Sequence, residues 1–406
     1  MPSFHSGHSV QLLFTGQAFF PALVAAVDAA QHEVLLETYI FHEDAAGEVV
    51  LGALERAALR GVAVHLVVDG IGTPQLPPQW IARMRASGVQ WQHFSPLGSL
   101  GLLIPGRWRR LHRKLCVVDR ALAFCGGINV LDDFVELNHG LQSTPRFDFA
   151  VQVRGPLVSD IHQAMQQFWL RLQTTRQLEH GQFQGVREAL GGLAALPRTQ
   201  AEVDYAQANS AQAAHGMRAA LLLRDNLRNR AGIERAYRHA IAHARQEVLI
   251  SNAYFLPGAK LRRALVHAVR RGVRVRLLLQ GRYEFYMQFH AAKPFYSALL
   301  AAGVEIHEYQ AGFLHAKVAV IDGRWATVGS SNLDPLSLLL AREANVVVDD
   351  AAFAQTLLAP LNAAIAHHSV QVDQTMFAHR PLWQRLQGRL AYSLMRLTLF
   401  LTGRDY

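Results

Sequence analysis

Residues 111–129, LHRKLCVVDRALAFCGGIN, and residues 314–332, LHAKVAVIDGRWATVGSSN, align at a constant offset of 203 and agree at eight of nineteen positions. Each stretch carries a histidine, a lysine two residues on, an aspartate seven residues after the histidine, and a Gly-x-x-Asn tail. These are His112, Lys114, Asp119 and Asn129 in the first copy and His315, Lys317, Asp322 and Asn332 in the second. Residues i and i+2 of a strand share a face, so each histidine projects with its lysine. Two such pairs meeting across a pseudo-two-fold axis make a cationic pocket suited to a phosphodiester. One imidazole can attack phosphorus to form a phosphohistidine while the other, protonated, releases the departing alkoxide. The two lysines and the two asparagines would hold the non-bridging oxygens as charge builds. This chemistry asks for no metal and no other cofactor. A nucleophilic imidazole needs its second nitrogen oriented by a carboxylate, and each copy offers one candidate after its asparagine: Asp148 in RFDFAVQV and Glu343 in AREANVVV. The same two acids also fit strand-edge surface positions. From spacing alone, Asp119 and Asp322 read as supports of a hairpin turn rather than proton carriers.

The duplication extends to the elements that must position these groups. AQHEVLLETYIF (30–41) answers ARQEVLISNAYF (244–255), and LRGVAVHLVVDG (59–70) answers RRGVRVRLLLQG (270–281). Each copy reads as a helix, an apolar strand, a second helix (48–59 or 261–271), then a Gly and a Val-rich strand. Strands this apolar, alternating with amphipathic helices, predict a sheet covered on both faces. The expected fold class is α/β, with two α/β/α sandwich lobes, and each motif aspartate marks an antiparallel hairpin. The expected organisation is a first lobe over 1–171, a linker over 172–215 that matches nothing in the other half, a second lobe over 216–375, and a C-terminal amphipathic helix over 376–406.

The chain has 406 residues, half of them apolar, a formal charge of +9 and a pI of about 9.9. A large core is therefore easily built, and the charge favours an anionic partner such as a phospholipid surface, a nucleic acid or a phosphate-bearing substrate. Cys116 and Cys125 flank a tight turn, but Ala319 and Val328 replace them in the second copy, so they read as small core residues with free thiols. No run of eighteen apolar residues exists to span a bilayer, and the N-terminal stretch, lacking a basic leader, reads as a strand followed by a helix. The protein is expected on the cytoplasmic side.

The doubled HxKx4D signature with its Gly-x-x-Asn tail resembles the phospholipase D superfamily, over nearly the whole chain. More narrowly, RDN (224–226), NAYFLPG (252–258) and VGSSNLDPLSLLLAREANVVV (328–348) are similar to bacterial cardiolipin synthases of the B type. The resemblance implies a transphosphatidylation: one phosphatidylglycerol gives its phosphatidyl group to the enzyme, glycerol leaves, and a second phosphatidylglycerol accepts it. It also implies that His112 is the nucleophile and His315 the acid and then base, with Asp119 and Asp322 counted in the catalytic signature. A peripheral location on the inner membrane of a bacterium goes with it.

Two segments fit contact with an anionic membrane surface. The first copy carries twelve extra residues before His112, in SPLGSLGLLIPGRWRR, where Trp108 and Arg109 follow an apolar tip. These suit a headgroup layer, and a loop folded over the core fits equally. In the tail, Trp383, Leu386, Leu390, Leu394, Leu397 and Leu401 form one stripe with Arg385 and Arg389 beside it, which suits either an in-plane helix or one docked on the second lobe. A nucleic-acid phosphodiesterase fits less well, because no basic run interleaved with aromatics lines a groove. A phospholipase with water as acceptor differs only in what the site admits second. A non-catalytic membrane-binding scaffold would predict decay of one motif, and neither has decayed. Oligomeric state is not legible.

Overall fold

The repeated apolar runs become strands in the same order in both copies. A computed structural model describes residues 3–96, 108–179, 216–225, 229, 231–282, 286–334 and 341–378, with scattered positions from 381 to 393. The first lobe runs β1 (His5–Phe14), α1 (Thr15–Ala29), β2 (Glu33–Thr38), α2 (Ala45–Leu59), β3 (Ala63–Asp69), α3 (Pro78–Ser87), β4 (Gln90–Phe94), β5 (Arg110–Leu111), β6 (Lys114–Val118), β7 (Leu122–Gly126), β8 (Val135–Glu136), β9 (Gly140–Leu141), β10 (Phe149–Arg154) and α4 (Leu157–Glu179). The second runs β11 (Met217–Arg224), α5 (Gly232–His243), β12 (Glu247–Asn252), α6 (Ala259–Arg270), β13 (Arg274–Gln280), α7 (Tyr286–Ala301), β14 (Glu305–Tyr309), β15 (Lys317–Ile321), β16 (Trp325–Gly329), β17 (Ala341–Asp349), α8 (Ala351–His368), β18 (Ser369–Gln371) and α9 (Gln374–Ala378). Helix α4 continues into the segment read as the linker, and residues 180–215 lie outside the described residues.

Read outward from the centre, the sheet order is β1-β10-β7-β6-β2-β3-β4 in one lobe and β11-β17-β16-β15-β12-β13-β14-β18 in the other. β1 and β11 pair antiparallel at the middle, joining the two halves into one sheet. The outer strands of each half are parallel, β2-β3-β4 and β12-β13-β14, as helical crossovers require. Gly61 and Gly272, equivalent in the two copies, take φ of 91° and 85°, a left-handed conformation open to glycine at little cost. They turn α2 and α6 into the next strand.

The three largest apolar clusters among the described residues hold the layers. One packs α1, α2 and α3 on the first half of the sheet, and another packs α5, α6 and α7 on the second. The third is shared: Val151, Ile161 and Met165 from the first lobe bury against Val346, Phe353 and Leu357 from the second. At roughly 1.5–3 kcal/mol for each large apolar side chain taken from water, this common core helps hold the two lobes together. Cys116 and Cys125 are buried free thiols. The register sets Cys116 opposite Phe124 and Leu115 opposite Cys125, so the two sulfurs point to opposite faces of the hairpin, one into the outer cluster and one into the shared core.

Candidate active site

The two motif stretches arrive at the lobe junction on equivalent strands. His112 follows β5, whose pairing with β17 sets Arg110 beside Ala341 and Leu111 beside Arg342; the His112 N–H then donates to the Arg342 carbonyl at 3.0 Å. His315 is placed the same way, its N–H donating to the Phe147 carbonyl at 2.9 Å. Each histidine is thus docked by backbone onto the other lobe, beside the other lobe's acidic residue.

The carboxylates cross over. Nδ1 of His112 lies 3.0 Å from Oε1 and 3.1 Å from Oε2 of Glu343, and Nδ1 of His315 lies 2.6 Å from Oδ2 of Asp148. Glu343 is wholly buried and Asp148 nearly so, which excludes the reading of these acids as surface groups. With Nδ1 so engaged, Nε2 of each ring is the nitrogen left for chemistry. Lys114 and Lys317 start β6 and β15, are buried, and donate back to the carbonyls of His112 (2.7 Å) and His315. Lys317 Nζ also lies 3.9 Å from Asp148 Oδ2.

Burial opposes ionisation of Glu343, but His112, Lys114 and the Ser330 hydroxyl outweigh it and hold Glu343 below the usual range. Burial pushes Asp148 up to about 6 against the pull of Lys317, the Phe149 N–H, Lys114 and Arg146. Burial also brings Lys114 down to about 7, opposed by Glu343 and helped by Lys317. His112 is lowered by burial, with Glu343 opposing and Lys114 assisting. His315 is driven well down by burial and then by Lys317, Arg146, Lys114 and His112. That list shows both histidines and both lysines sharing one electrostatic neighbourhood. A dry pocket with two buried ammonium groups is arranged to receive an anion.

Asn129 and Asn332 are buried. The Asn129 side-chain oxygen accepts from the Ile40 N–H at 3.3 Å. The glycines before them are needed for close packing: a Cβ on Gly329 would stand 2.3 Å from the Asn345 side chain, and one on Gly127 would stand 2.3 Å from Asp148 Oδ1. Asp119 and Asp322 are not brought to the pocket. They sit at the far turn of each hairpin with φ of 49° and 51°, where Asp119 accepts from the N–H groups of Gln31, His32 and Glu33, and Asp322 from those of Arg245, Gln246 and Glu247. Trp108 and Arg109 are half-buried just before β5, and Trp383 is 62% exposed. Arg385 and Arg389 lie outside the described residues.

Sequence reasoning missed three neighbours. Tyr39 places its ring 4.9 Å from that of His112 and 5.4 Å from Lys114 Nζ; its signal was the contrast with Ala253 in the aligned copy. Ser330 donates to Glu343 where the first copy has Gly127. Arg146 acts on Asp148 and His315 while bound to Glu136 at 2.7 Å, and nothing in its spacing marks it.

Among the described residues no group of His, Cys, Asp and Glu could hold a metal, and no helix is long and apolar enough to cross a membrane. The sequence model of the family described as cardiolipin synthase, PLD-like domain, matches twice, over residues 23–143 and 237–365. The chain is 38% identical to cardiolipin synthase B of Escherichia coli (strain K12) over 97% of its own length and 89% of that protein's. It is 32% identical to cardiolipin synthase A of Pseudomonas entomophila (strain L48) over 86% of its length and 67% of that protein's. The crystal structure of phosphatidylserine synthase from Haemophilus influenzae Rd KW20 shares the fold, with a TM-score of 0.66 over 98% of this chain and 96% of that one at 12% identity. With one histidine–lysine pair of the junction pocket in each matched segment, the chain belongs to the cardiolipin synthase family of PLD-like domain proteins.

Proposed function

We propose that the protein is a phosphatidyltransferase of the cardiolipin synthase type, taking phosphatidylglycerol as both donor and acceptor. The observation that carries this reading is the crossed pair of imidazoles, each with Nδ1 on a buried carboxylate of the opposite lobe. His112 Nε2 attacks phosphorus, the P–O bond to glycerol breaks, and His315 gives its proton to the leaving oxygen. His315 then takes the proton from the hydroxyl of a second phosphatidylglycerol as that oxygen displaces His112. One phosphodiester replaces another, so no nucleotide is consumed. His112 takes the nucleophile's role because the family resemblance implies it, and Glu343, held as a carboxylate below the usual range, supports that role by orienting the ring with Nε2 toward phosphorus. Lys114, Lys317, Asn129 and Asn332 bind the phosphate oxygens.

The same reading makes the protein a peripheral one on the cytoplasmic face of a bacterial inner membrane, meeting anionic lipid through Trp108, Arg109 and the tail carrying Trp383, Arg385 and Arg389. The lobe boundaries at 171 and 216 and the linker between them belong to this proposal. Purified protein incubated with labelled phosphatidylglycerol and resolved by thin-layer chromatography should give cardiolipin and glycerol. Phosphatidic acid as the main product would make the protein a hydrolase instead.

A further inference from the structure

We infer that the polar side of α5 holds an anionic phospholipid in a second, non-catalytic site. A cavity of about 710 Å³ lies between β11 and α5, floored by Leu221, Leu222 and Leu223 and walled by Arg235, Arg238 and His239. A smaller one of about 420 Å³ adjoins it along α5, sharing Ala236 and His239 and reaching Phe4 and Trp325. The larger volume is in the range that encloses a small ligand, and no residue of the catalytic pocket lines either space. The sheet itself opens the cavity: β1 meets β11 only at His5 with Ala219 and His8 with Met217, so among the described residues no strand pairs with the β1 side of β11 along the three leucines.

The chemistry of the walls selects the ligand. In the smaller cavity Asp349 holds both Arg218 and Arg324 and Asp322 also lines the space, so two carboxylates balance its two guanidinium groups. In the larger one Glu234 holds Arg238 at 3.2 Å, while Arg235 extends from an exposed position and His239, one turn on, is shifted toward its neutral form by its surroundings and by His243. The Arg235 guanidinium and the His239 imidazole donor at the rim of a leucine floor fit an anionic head with hydrocarbon attached, and fit a free anion poorly. The choice of a phospholipid among anionic amphiphiles rests on the transferase reading above. The floor also leads into the site, since Arg224, next after Leu223, stands opposite Glu343 in the β11–β17 ladder.

The test uses full-length His112→Asn protein, which cannot turn over, titrated with dihexanoylphosphatidylglycerol below its micelle concentration by calorimetry and Trp325 fluorescence. Two binding events are expected, one of them accompanied by a fluorescence change that Trp325→Phe abolishes. Arg235→Glu combined with His239→Glu, both at exposed positions, should weaken that event by about tenfold or more and leave the other unchanged. Glycerol 3-phosphate, a head without chains, should not reproduce it. A single event untouched by the charge reversal, or equal binding of glycerol 3-phosphate, overturns the proposal. An α5 event without the other one supports this site and counts against the transferase reading instead.

Discussion

Glu343 of the second lobe grips the imidazole of His112 in the first, with Nδ1 3.0 Å from Oε1. The reciprocal bond between His315 and Asp148 makes the exchange complete. Neither lobe holds a finished catalytic unit. A half-molecule would carry a histidine without its carboxylate and a buried carboxylate without its histidine, on top of an exposed half of the shared core.

The crossed bonds predict a cost for carboxylate loss that is unrelated to substrate binding. Glu343→Gln and Asp148→Asn should each lower kcat by about 10²–10⁴-fold with little change in KM, because the ring loses its oriented tautomer. Steady-state transfer assays on variants that keep the native circular dichroism spectrum would check this. A near-normal kcat in either variant would remove that carboxylate from the mechanism.

Both histidines act in one turnover, so His112→Ala and His315→Ala should each reduce transfer by orders of magnitude rather than by half. Denaturing quench of the wild-type protein under alkaline conditions should trap label on His112. Label found on residue 315 in the wild-type protein would reverse the assigned roles.

Activity should rise and then fall over a narrow pH range. Asp148 is pushed up to about 6, so on the acid side its pair with His315 takes up a proton and the pocket loses a carboxylate. Lys114 is brought down to about 7, so on the alkaline side an ammonium that binds phosphate becomes neutral. The profile of kcat/KM reports these groups in the free enzyme. Lys114→Arg should move the alkaline limb upward by more than one pH unit, and an unshifted limb would assign it to another group.

The motif aspartates should matter to stability more than to chemistry. Each accepts three backbone N–H groups from a residue in left-handed conformation, which Asp tolerates better than Ala. Asp119→Ala and Asp322→Ala should each cost about 1–3 kcal/mol of unfolding free energy, read by denaturant titration. Full loss of activity in a variant with an unaltered unfolding midpoint would place the aspartate in the reaction.

The tail gives the membrane prediction. Trp383, Leu386 and Leu390 are 62%, 68% and 58% exposed, although they form the apolar stripe of the helix that the sequence outlines. Truncation after His379 should therefore leave a folded protein that no longer sediments with anionic vesicles at moderate salt. A large drop in melting temperature would instead assign the stripe to packing on the second lobe.

The two-copy architecture was readable from residues alone because each motif sits at a fixed distance from strands whose apolar runs are themselves repeated. The same holds for the thiols: Ala319 and Val328 at the aligned positions mark Cys116 and Cys125 as core residues, and their opposite faces follow once the hairpin register is known. The candidate acids Asp148 and Glu343 were also legible, since each follows its asparagine at the head of an apolar strand. Their partners were not. A linear sequence shows Asp148 and His112 in one copy and Glu343 and His315 in the other, and only the docking of β5 on β17, with Phe147 beside Leu314, decides that the carboxylates are exchanged. Ser330 and Arg146 were invisible for a related reason, because what brings them to the carboxylates is tertiary packing rather than periodicity within a strand, whereas Tyr39 had left only its contrast with Ala253 as a signal. Local patterning specifies which face a side chain takes; which group meets it from the other lobe depends on how two sheets, joined at β1 and β11, bury one core between them.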